Sequence, residues 1–174
     1  MFKDGWHLNL KHIRSDNYNQ RPRGCGIDLV VIHCISLPEG EYDNQNVENL
    51  FQNKLDCRLD ESFKSLDGVK VSAHFYIKRC GEVVQFISID DRAWHAGISE
   101  YKGRNRCNDF SIGIELQGTD KTSYTNRQYD SLNELLKDIK TSYLSIQDIT
   151  GHEDIAPARK TDPGVGFDWK RVVF

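Results

Sequence analysis

A run of apolar residues, Leu29-Val30-Val31-Ile32, is followed immediately by a histidine, His33. The run is short and rich in β-branched residues, which predicts a strand, and the absence of alternating polar residues indicates that both faces are covered. Sheets covered on both faces are typical of α/β domains, in which helices pack against the strands. We therefore expect a central strand over residues 28–34, with His33 at its exit.

Other segments of the chain alternate between strand and helix patterns. Short β-rich runs indicate strands, and apolar residues spaced three and four apart indicate helices. Thr125 and Gln128 have the spacing of a capping box, which marks the start of the clearest helix. In chain order, we predict a helix over 44–55, a weaker helix over 59–66, a hairpin over 72–89, a strand over 111–117 and the helix after Thr125.

The expected architecture is a single α/β domain over residues 1–174, with a central mixed β-sheet flanked by helices. The chain has 174 residues, of which 38% are hydrophobic, and this suffices for one substantial core. A net charge of −3 and the lack of a basic stripe argue against nucleic-acid binding. Because the sequence has no apolar run of roughly 18 residues and no leader-like start, we expect a soluble cytoplasmic protein that binds no membrane. No obligate protein partner is predicted.

The five cysteines are widely spaced, odd in number and free of any Cys-x-x-Cys pair. This pattern favours reduced thiols over a disulfide framework or a thiolate zinc site. Cys34 directly follows His33, but neighbouring residues of a strand point to opposite faces. We therefore interpret Cys34 as packing or as part of a pocket wall, and not as a metal ligand.

A second group of potential metal ligands lies far downstream, where Gly151-His152 is followed by Lys160-Thr161-Asp162. Together with His33, these residues offer two imidazoles and one carboxylate. Structural zinc sites normally fill four positions, usually with thiolates, whereas a catalytic zinc has three protein ligands and leaves the fourth position to water. The pattern therefore predicts a zinc hydrolase, with Lys160 as a charged partner of the site.

The chain contains five motifs in register: Val30-Val31-Ile32-His33, Val71-Ser72-Ala73-His74-Phe75, Arg92-Ala93-Trp94-His95-Ala96-Gly97, Arg106-Cys107-Asn108-Asp109-Phe110-Ser111-Ile112-Gly113-Ile114-Glu115 and Lys160-Thr161-Asp162-Pro163-Gly164. Together they resemble the zinc N-acetylmuramoyl-L-alanine amidases of the amidase-2 class, from about residue 6 to residue 169. Within that class, the chain is similar to the cytoplasmic AmpD type, which acts on 1,6-anhydro-muropeptides. The resemblance implies the amidase-2 fold, which is like that of peptidoglycan recognition proteins.

The resemblance also implies a role for each residue of the predicted site. His33, His152 and Asp162 match the family's zinc ligands, whereas Glu115 and Lys160 match its catalytic acid and catalytic lysine. A carboxylate beside the attacking water can move protons, and an ammonium can stabilise the oxyanion of the attacked amide. The implied reaction is zinc-dependent hydrolysis of the amide between 1,6-anhydro-N-acetylmuramic acid and L-alanine. It is a step of peptidoglycan recycling that indirectly affects β-lactamase induction.

Ordinary roles for the same residues stay open when they are considered singly. A histidine after an apolar strand is usually only hydrogen-bonded, and it is the downstream His152 and Asp162 that favour a ligand role for His33. Glu115, on the polar side of its strand, would usually be a solvated carboxylate. Lys160 would usually be one more exposed charge, but its closeness in sequence to Asp162 favours a catalytic role.

Six residues are predicted to contact the substrate. A muropeptide carries free carboxylates, and an arginine fork binds a carboxylate through two parallel hydrogen bonds. Lys70 departs from the arginine of the family and lacks that planar fork, and Cys34 stands where relatives carry asparagine. Trp94 would either offer an aromatic face to the sugar or pack in the core. The six residues are Arg106, Lys70, Trp94, His95, Cys34 and Asn108.

The remaining histidines are given supporting or neutral roles. We interpret His74 and His95 as pocket residues or as outer partners of the ligands, because such partners fix the tautomers of metal-binding imidazoles. His7 and His12 have no convergent partner in the sequence and are predicted to be surface residues. The polar segment over 38–68 is a candidate cover for the cleft.

Two other functions fit parts of the pattern. A phage-like or secreted lytic amidase would apply the same chemistry to intact peptidoglycan, but the sequence shows neither a signal peptide nor a wall-binding module. A non-catalytic peptidoglycan-binding module would be expected to lack a zinc ligand, whereas all three ligand positions are filled in this chain.

Overall fold

The computed structural model describes residues 1–174 and contains strands, α-helices and short 3-10 helices. The strands are β1 (Phe2–Lys3), β2 (Trp6–His7), β3 (Lys11–His12), β4 (Tyr18–Gln20), β5 (Leu29–Ile35), β6 (Phe75–Ile77), β7 (Val83–Gln85), β8 (Asp91–Ala93), β9 (Glu100–Tyr101), β10 (Arg104–Asn105), β11 (Ser111–Gln117) and β12 (Asp148–Gly151). The α-helices are α1 (Asn46–Phe51), α2 (Asn126–Ser142) and α3 (His152–Ile155), and the 3-10 helices span Glu61–Leu66, Cys107–Asp109 and Trp169–Arg171.

Six of the strands form one mixed sheet, in the order β12-β5-β11-β6-β7-β3. β5 lies parallel to β12 on one side and to β11 on the other, and β11 also lies parallel to β6. β6 and β7 form the antiparallel hairpin that the sequence predicted. The prediction of a single α/β domain with a central mixed sheet is therefore confirmed.

The apolar run of β5 is fully buried, as predicted for a central strand, and its two faces contact different neighbours. Val30 and Ile32 lie in the main hydrophobic core, together with residues of α2 such as Leu132. Leu29 and Val31 lie on the opposite face, in a smaller cluster that includes Ala96, Cys107 and Phe110. The face opposite α2 is therefore the one that also carries His33, because His33 alternates with Ile32 along the strand.

The predicted helices exist, but two of them are shorter than expected. α2 begins with the predicted capping box, in which Thr125 Oγ1 accepts from Gln128 N and Gln128 Oε1 accepts from Thr125 N, both at 3.1 Å. The helix predicted over 44–55 is confined to α1, and the weaker one is the 3-10 helix Glu61–Leu66. Both segments are too short for stable isolated helices, and they are held by the burial of apolar side chains such as Phe51 and Phe63. None of the helices has both the length and the apolar composition needed to cross a lipid bilayer.

The prediction that His7 lies on the surface is wrong. Only 6% of the residue is exposed, and its Nε2 lies 2.7 Å from Asp138 Oδ2 on α2. The backbone N–H of His7 also donates to Gln85 Oε1 at 2.8 Å. Asp138 is 131 residues away along the chain, so no local pattern could indicate this contact. His12 is exposed, as predicted.

Candidate active site

His33 and Glu115 are direct neighbours in the sheet, because they are register partners on the parallel strands β5 and β11. Paired strands lie about 4.8 Å apart, and register partners project from the same face. Both side chains therefore leave the sheet together, near the carboxyl ends of the two strands. Cys34 pairs with Leu116 and packs against the core on the other face, so its predicted divergence from His33 is confirmed.

His152 and Asp162 are brought to this edge of the sheet by β12 and by the chain that follows it. β12 pairs with β5, and α3 begins directly at His152. The start of this helix is held by Asp154, whose Oδ2 accepts from the backbone N–H of Gly151 at 2.9 Å. The backbone N–H of Glu153 donates to the carbonyl of Asp162 at 2.8 Å, which returns the loop to the helix. The loop thus carries Asp162 back to the first residue of α3.

Three potential ligand atoms converge at one point. His33 Nδ1 lies 2.9 Å from His152 Nδ1, and Asp162 Oδ2 lies 3.2 Å from the former and 3.0 Å from the latter. A tetrahedral zinc with bonds of about 2.0–2.2 Å separates its ligand atoms by about 3.3 Å. Two imidazole nitrogens and one carboxylate oxygen at this spacing fit a zinc ion with one position left for water.

The charges of His33 and Asp162 also suit a cation. Burial lowers the pKa of His33 to about 4, so the imidazole is neutral at pH 7 and keeps a lone pair. Burial alone would raise the pKa of Asp162, but the close contacts of its carboxylate with the imidazoles of His152 and His33 hold it well below its usual range. Neutral imidazoles and an ionised carboxylate are the forms that bind metals.

A chain of buried hydrogen bonds fixes the outward nitrogen of His33. Ser111 Oγ donates to the carbonyl of Cys107 at 2.6 Å, so its proton is engaged and it accepts from His95 Nε2 at 3.3 Å. His95 Nδ1 therefore carries a lone pair and accepts from His33 Nε2 at 2.9 Å. This direction of the bonds leaves the lone pair of His33 Nδ1 facing the other two ligand atoms.

The outward nitrogen of His152 is held by Ala96, the residue that follows His95. His152 Nε2 donates to the buried carbonyl of Ala96 at 3.2 Å, which leaves the lone pair on Nδ1, the atom that faces the site. The dipeptide His95-Ala96 thus contacts both histidines. The ring of His95 lies directly over Gly113, where an added Cβ would come within 2.5 Å of His95 Cγ. A glycine at this position is therefore what allows His95 to lie against the sheet.

A cavity of about 260 Å³ opens beside the three ligand atoms and includes the side chains of Glu115 and Lys160. Glu115 Oε2 is buried and has no hydrogen-bond partner within the protein. Burial, reinforced by the charge of Asp162 and opposed by that of Lys160, raises the pKa of Glu115 well above its usual range. The rest of the wall is largely apolar and includes Leu50, Phe51, Leu66, Val69 and Val71.

The six residues predicted to contact substrate lie in this cavity or in pockets that border it. Cys34, Trp94 and His95 line the cavity itself, and Cys34 also lines an adjoining cleft of about 480 Å³. Burial raises the pKa of Cys34 to about 12, so its thiol stays protonated at neutral pH. Trp94 continues into a pocket of about 620 Å³, which is also lined by Arg106 and Asn108.

Lys70 and the segment over 38–68 lie on the apolar side of the cavity. Lys70 lines a pocket of about 150 Å³ that shares Leu66 with the cavity. In the same segment, Glu48 of α1 forms a nearly buried ion pair with Lys78 at 2.6 Å. Because Leu50, Phe51 and Leu66 line the cavity, the segment forms one wall of the cleft. Its predicted movement as a cover stays a prediction.

Sequence reasoning missed Arg21, which organises the loop behind the site. Its guanidinium is largely buried and donates to four backbone carbonyls at 2.9–3.2 Å. It also contacts His74 Nε2 at 3.2 Å, and the other nitrogen of His74 accepts from the backbone N–H of Gly113. Arg21 lies in a polar segment without regular spacing, and no local signal could have identified it. The accepting carbonyls are those of Ile89, Asn108, Asp109 and Ser111.

Residues 19–165 match the family described as N-acetylmuramoyl-L-alanine amidase. The chain belongs to this family. It is 45% identical to the 1,6-anhydro-N-acetylmuramyl-L-alanine amidase AmpD of Escherichia coli K12 over 172 residues, which cover 98% of this chain and 94% of that protein. The crystal structure of a selenomethionine derivative of AmpD superposes with a TM-score of 0.96 at 45% identity, covering 98% of this chain and 96% of that one. The predicted resemblance to AmpD-type amidases is confirmed.

More distant proteins share the fold. E. coli AmiD, solved in complex with the substrate anhydro-N-acetylmuramic acid-L-Ala-D-γ-Glu-L-Lys, superposes with a TM-score of 0.62 at 29% identity, covering 87% of this chain and 59% of that one. The peptidoglycan recognition protein PGRP-SA of Apis mellifera shows the same fold at 16% identity, with a TM-score of 0.65, covering 95% of this chain and 98% of that one. The predicted fold class and the prediction of an amidase are therefore confirmed.

Proposed function

We propose that this amidase uses zinc to hydrolyse the amide between 1,6-anhydro-N-acetylmuramic acid and L-alanine in cytoplasmic muropeptides, through one catalytic domain over residues 1–174. Such a reaction belongs to peptidoglycan recycling and indirectly affects β-lactamase induction. The observation that carries the proposal is the convergence of His33, His152 and Asp162 beside a cavity that also contains Glu115 and Lys160. Support for the substrate comes from the names of the AmpD relatives, which match almost the whole chain.

Zinc is proposed to be held by His33 Nδ1, His152 Nδ1 and Asp162 Oδ2. When bound, the ion polarises the amide carbonyl and lowers the pKa of a water molecule. The protein shields both histidines from solvent, because they are almost fully buried. It also fixes the orientation of their rings, because their outward nitrogens are hydrogen-bonded.

Glu115 is proposed to move the protons of the reaction. Its Oε2 is free to accept the proton of the attacking water and to deliver it to the leaving amide nitrogen. The raised pKa of Glu115 helps the second step, because a buried carboxyl holds a proton at a pH at which an exposed one has lost it.

Lys160 is proposed to stabilise the oxyanion that develops on the attacked carbonyl. It lines the cavity together with Glu115, and an ammonium is a compact positive charge suited to a developing oxyanion. Arg106 and Lys70 line pockets that border the cavity and are proposed to bind carboxylates of the stem peptide. Trp94, His95 and Cys34 complete the proposed substrate surface.

The proposal is tested by incubating the purified protein with a soluble anhydro-muropeptide and analysing the products by mass spectrometry. We expect free anhydro-N-acetylmuramic acid and free peptide with zinc present, and no products after dialysis against a chelator, until zinc is restored. Intact sacculi serve as the comparison substrate. Turnover that persists without zinc, or equal release from sacculi and from the soluble muropeptide, would contradict the proposal.

A further inference from the structure

The backbone of His95-Ala96, whose side chain and carbonyl contact the two metal-binding histidines, is itself held by one side chain. Asn108 Oδ1 accepts from the backbone N–H of His95 at 3.2 Å and from that of Ala96 at 2.8 Å. Because both partners are donors, the atom that faces them must be the amide oxygen. One oxygen of Asn108 thus orients the two residues that fix the outward nitrogens of both histidines.

Asn108 is itself held in a fixed position by its surroundings. It is only 6% exposed and lies in the 3-10 helix Cys107–Asp109. Its own carbonyl accepts from Arg21 Nη1 at 3.0 Å. The segment that carries Asn108 also supplies Ser111 and the carbonyl of Cys107, which end the hydrogen-bond chain from His33. The groups that bind the backbone N–H and the Nε2 of His95 therefore both come from residues 107–111.

Arg159 supports the carbonyl of Ala96, the group that binds His152, from the solvent side. Arg159 Nη2 donates to the carbonyl of Ala96 at 2.7 Å and to that of Ile98 at 2.8 Å. A carbonyl has two lone pairs, so the carbonyl of Ala96 can accept from Arg159 and from His152 together. Arg159 is exposed and Asn108 is buried, so we expect the larger effect from Asn108.

We propose that Asn108 is a positioning residue of the metal centre, which sets the tautomers of His33 and His152 by holding the backbone of His95-Ala96. Loss of its oxygen frees the dipeptide to rotate, and the Ala96 carbonyl and His95 Nδ1 then no longer meet the two outward nitrogens. This inference rests on the proposed zinc site. It departs from the substrate contact predicted for Asn108, because the oxygen is turned into the protein.

The test uses three variants of the full chain. Asn108→Asp keeps an oxygen at the same place, Asn108→Leu removes it at similar size, and Asn108→Ser replaces it with a group too short to reach both amides. Asn133→Leu is the matched control, because Asn133 Oδ1 also accepts a backbone N–H, from Val173 at 2.9 Å, on the far side of α2. Urea unfolding of each variant identifies those that fold.

Two measurements report on the histidines. In metal-free protein, long-range ¹H–¹⁵N spectra show which nitrogen of each imidazole carries the proton, and competition with a chelator gives the dissociation constant for zinc. We expect Asn108→Leu and Asn108→Ser to lose the single Nε2–H tautomer of both histidines and to weaken zinc binding by about 10- to 100-fold, the usual effect of removing an outer partner. Asn108→Asp and Asn133→Leu should match the wild type in both measurements.

Three results would overturn the assignment of Asn108. The first is wild-type tautomers and zinc affinity in both Asn108→Leu and Asn108→Ser. The second is an equal loss in Asn108→Asp, since the oxygen would then not be the active feature. The third is a raised KM for the anhydro-muropeptide at unchanged zinc affinity, which would make Asn108 a substrate contact. Tautomers are read without metal or substrate, so this test can fail while the amidase activity stands, and the reverse.

Discussion

His33 and Glu115 lie on adjacent strands of the sheet, whereas His152, Lys160 and Asp162 lie on α3 and the loop that follows it. The first group is fixed by the register of β5 and β11, which pair along seven consecutive residues. A shift of either strand by one residue would move the buried side chains of that strand to the wrong face, so this half of the site is specified by the core itself.

The loop half is held by individual contacts. The backbone of Gly151 is bound by the carboxylate of Asp154, and the carbonyl of Pro163 accepts from Tyr124 Oη at 2.8 Å. Gly164 has a φ of +80°, and a side chain there would meet the backbone of Asp120, so this point of the loop requires a glycine. We therefore expect the backbone of the sheet half to keep its position when a single polar group is lost, whereas the backbone of the loop half depends on its individual contacts.

The largest effect is expected for Asp162→Ala, which removes the only carboxylate among the three proposed ligands. The two neutral imidazoles left behind provide no charge to hold the cation, so we expect zinc to be lost on dialysis and turnover to fall to background. Metal analysis and the muropeptide assay measure the two losses. Asp56→Ala, which changes an aspartate paired only with the exposed Arg58, is the control. Zinc retained in full by Asp162→Ala would remove Asp162 from the ligand set.

Glu115→Gln should separate proton transfer from metal binding. Glutamine keeps the size of the side chain but cannot carry the proton, so we expect the rate to fall by about 10²- to 10⁴-fold. Zinc affinity should stay at the wild-type level, because Glu115 is not one of the converging ligands. Steady-state kinetics and chelator competition provide the two readings. A loss of zinc affinity in parallel with the rate would mean that Glu115 also contributes to metal binding.

Gly113→Ala tests the packing of the sheet half. The new Cβ would overlap the ring of His95, and such overpacking costs about 1–3 kcal/mol in the free energy of unfolding. Displacement of His95 should also weaken zinc binding, because His33 loses its outer partner. Urea unfolding and chelator competition measure both effects. Gly26→Ala is the matched control, since a Cβ at Gly26 meets no atom within 4 Å. Equal stability of the two variants would contradict the packing argument.

The smallest effect is expected for Tyr124→Phe, which removes one contact of the loop half. The carbonyl of Pro163 loses its donor, and we expect the free energy of unfolding to fall by about 0.5–1.5 kcal/mol. Tyr143→Phe is the control, because its hydroxyl donates only to the exposed side chain of Asp90. Zinc affinity should decrease in Tyr124→Phe and not in Tyr143→Phe. If neither variant changes it, the loop half is held more firmly than we infer.

The parts of this molecule that the sequence predicted are those with local patterns. The buried run of β5 and the capping box at Thr125 have the spacings that their structures require. The convergence of His33 with His152 and Asp162 could be predicted because the motifs of a known family carry these residues in order. Physical spacing alone left that convergence open, since nothing local relates two positions 119 residues apart.

The residues that support the site were harder to predict, because their contacts are distant and involve the backbone. Arg21 binds carbonyls 68 to 90 residues away, and Ser111 acts through the tautomer of His95. Asn108 stands in a matching motif and was predicted to face the substrate, since a sequence does not reveal which way an amide is turned. The burial of His7 was not predicted because its partner Asp138 lies on a helix that is distant in sequence.

The pairing of His33 with Glu115 across β5 and β11 has a consequence for redesign. The separation between His33 and the proposed proton carrier Glu115 is determined by interstrand hydrogen bonds, which no surface segment contributes. Segments around the cleft that carry none of the proposed ligands or catalytic residues can therefore be lengthened, shortened or exchanged without changing this separation. A library that varies only those segments would explore new glycopeptide specificities on an unchanged catalytic frame.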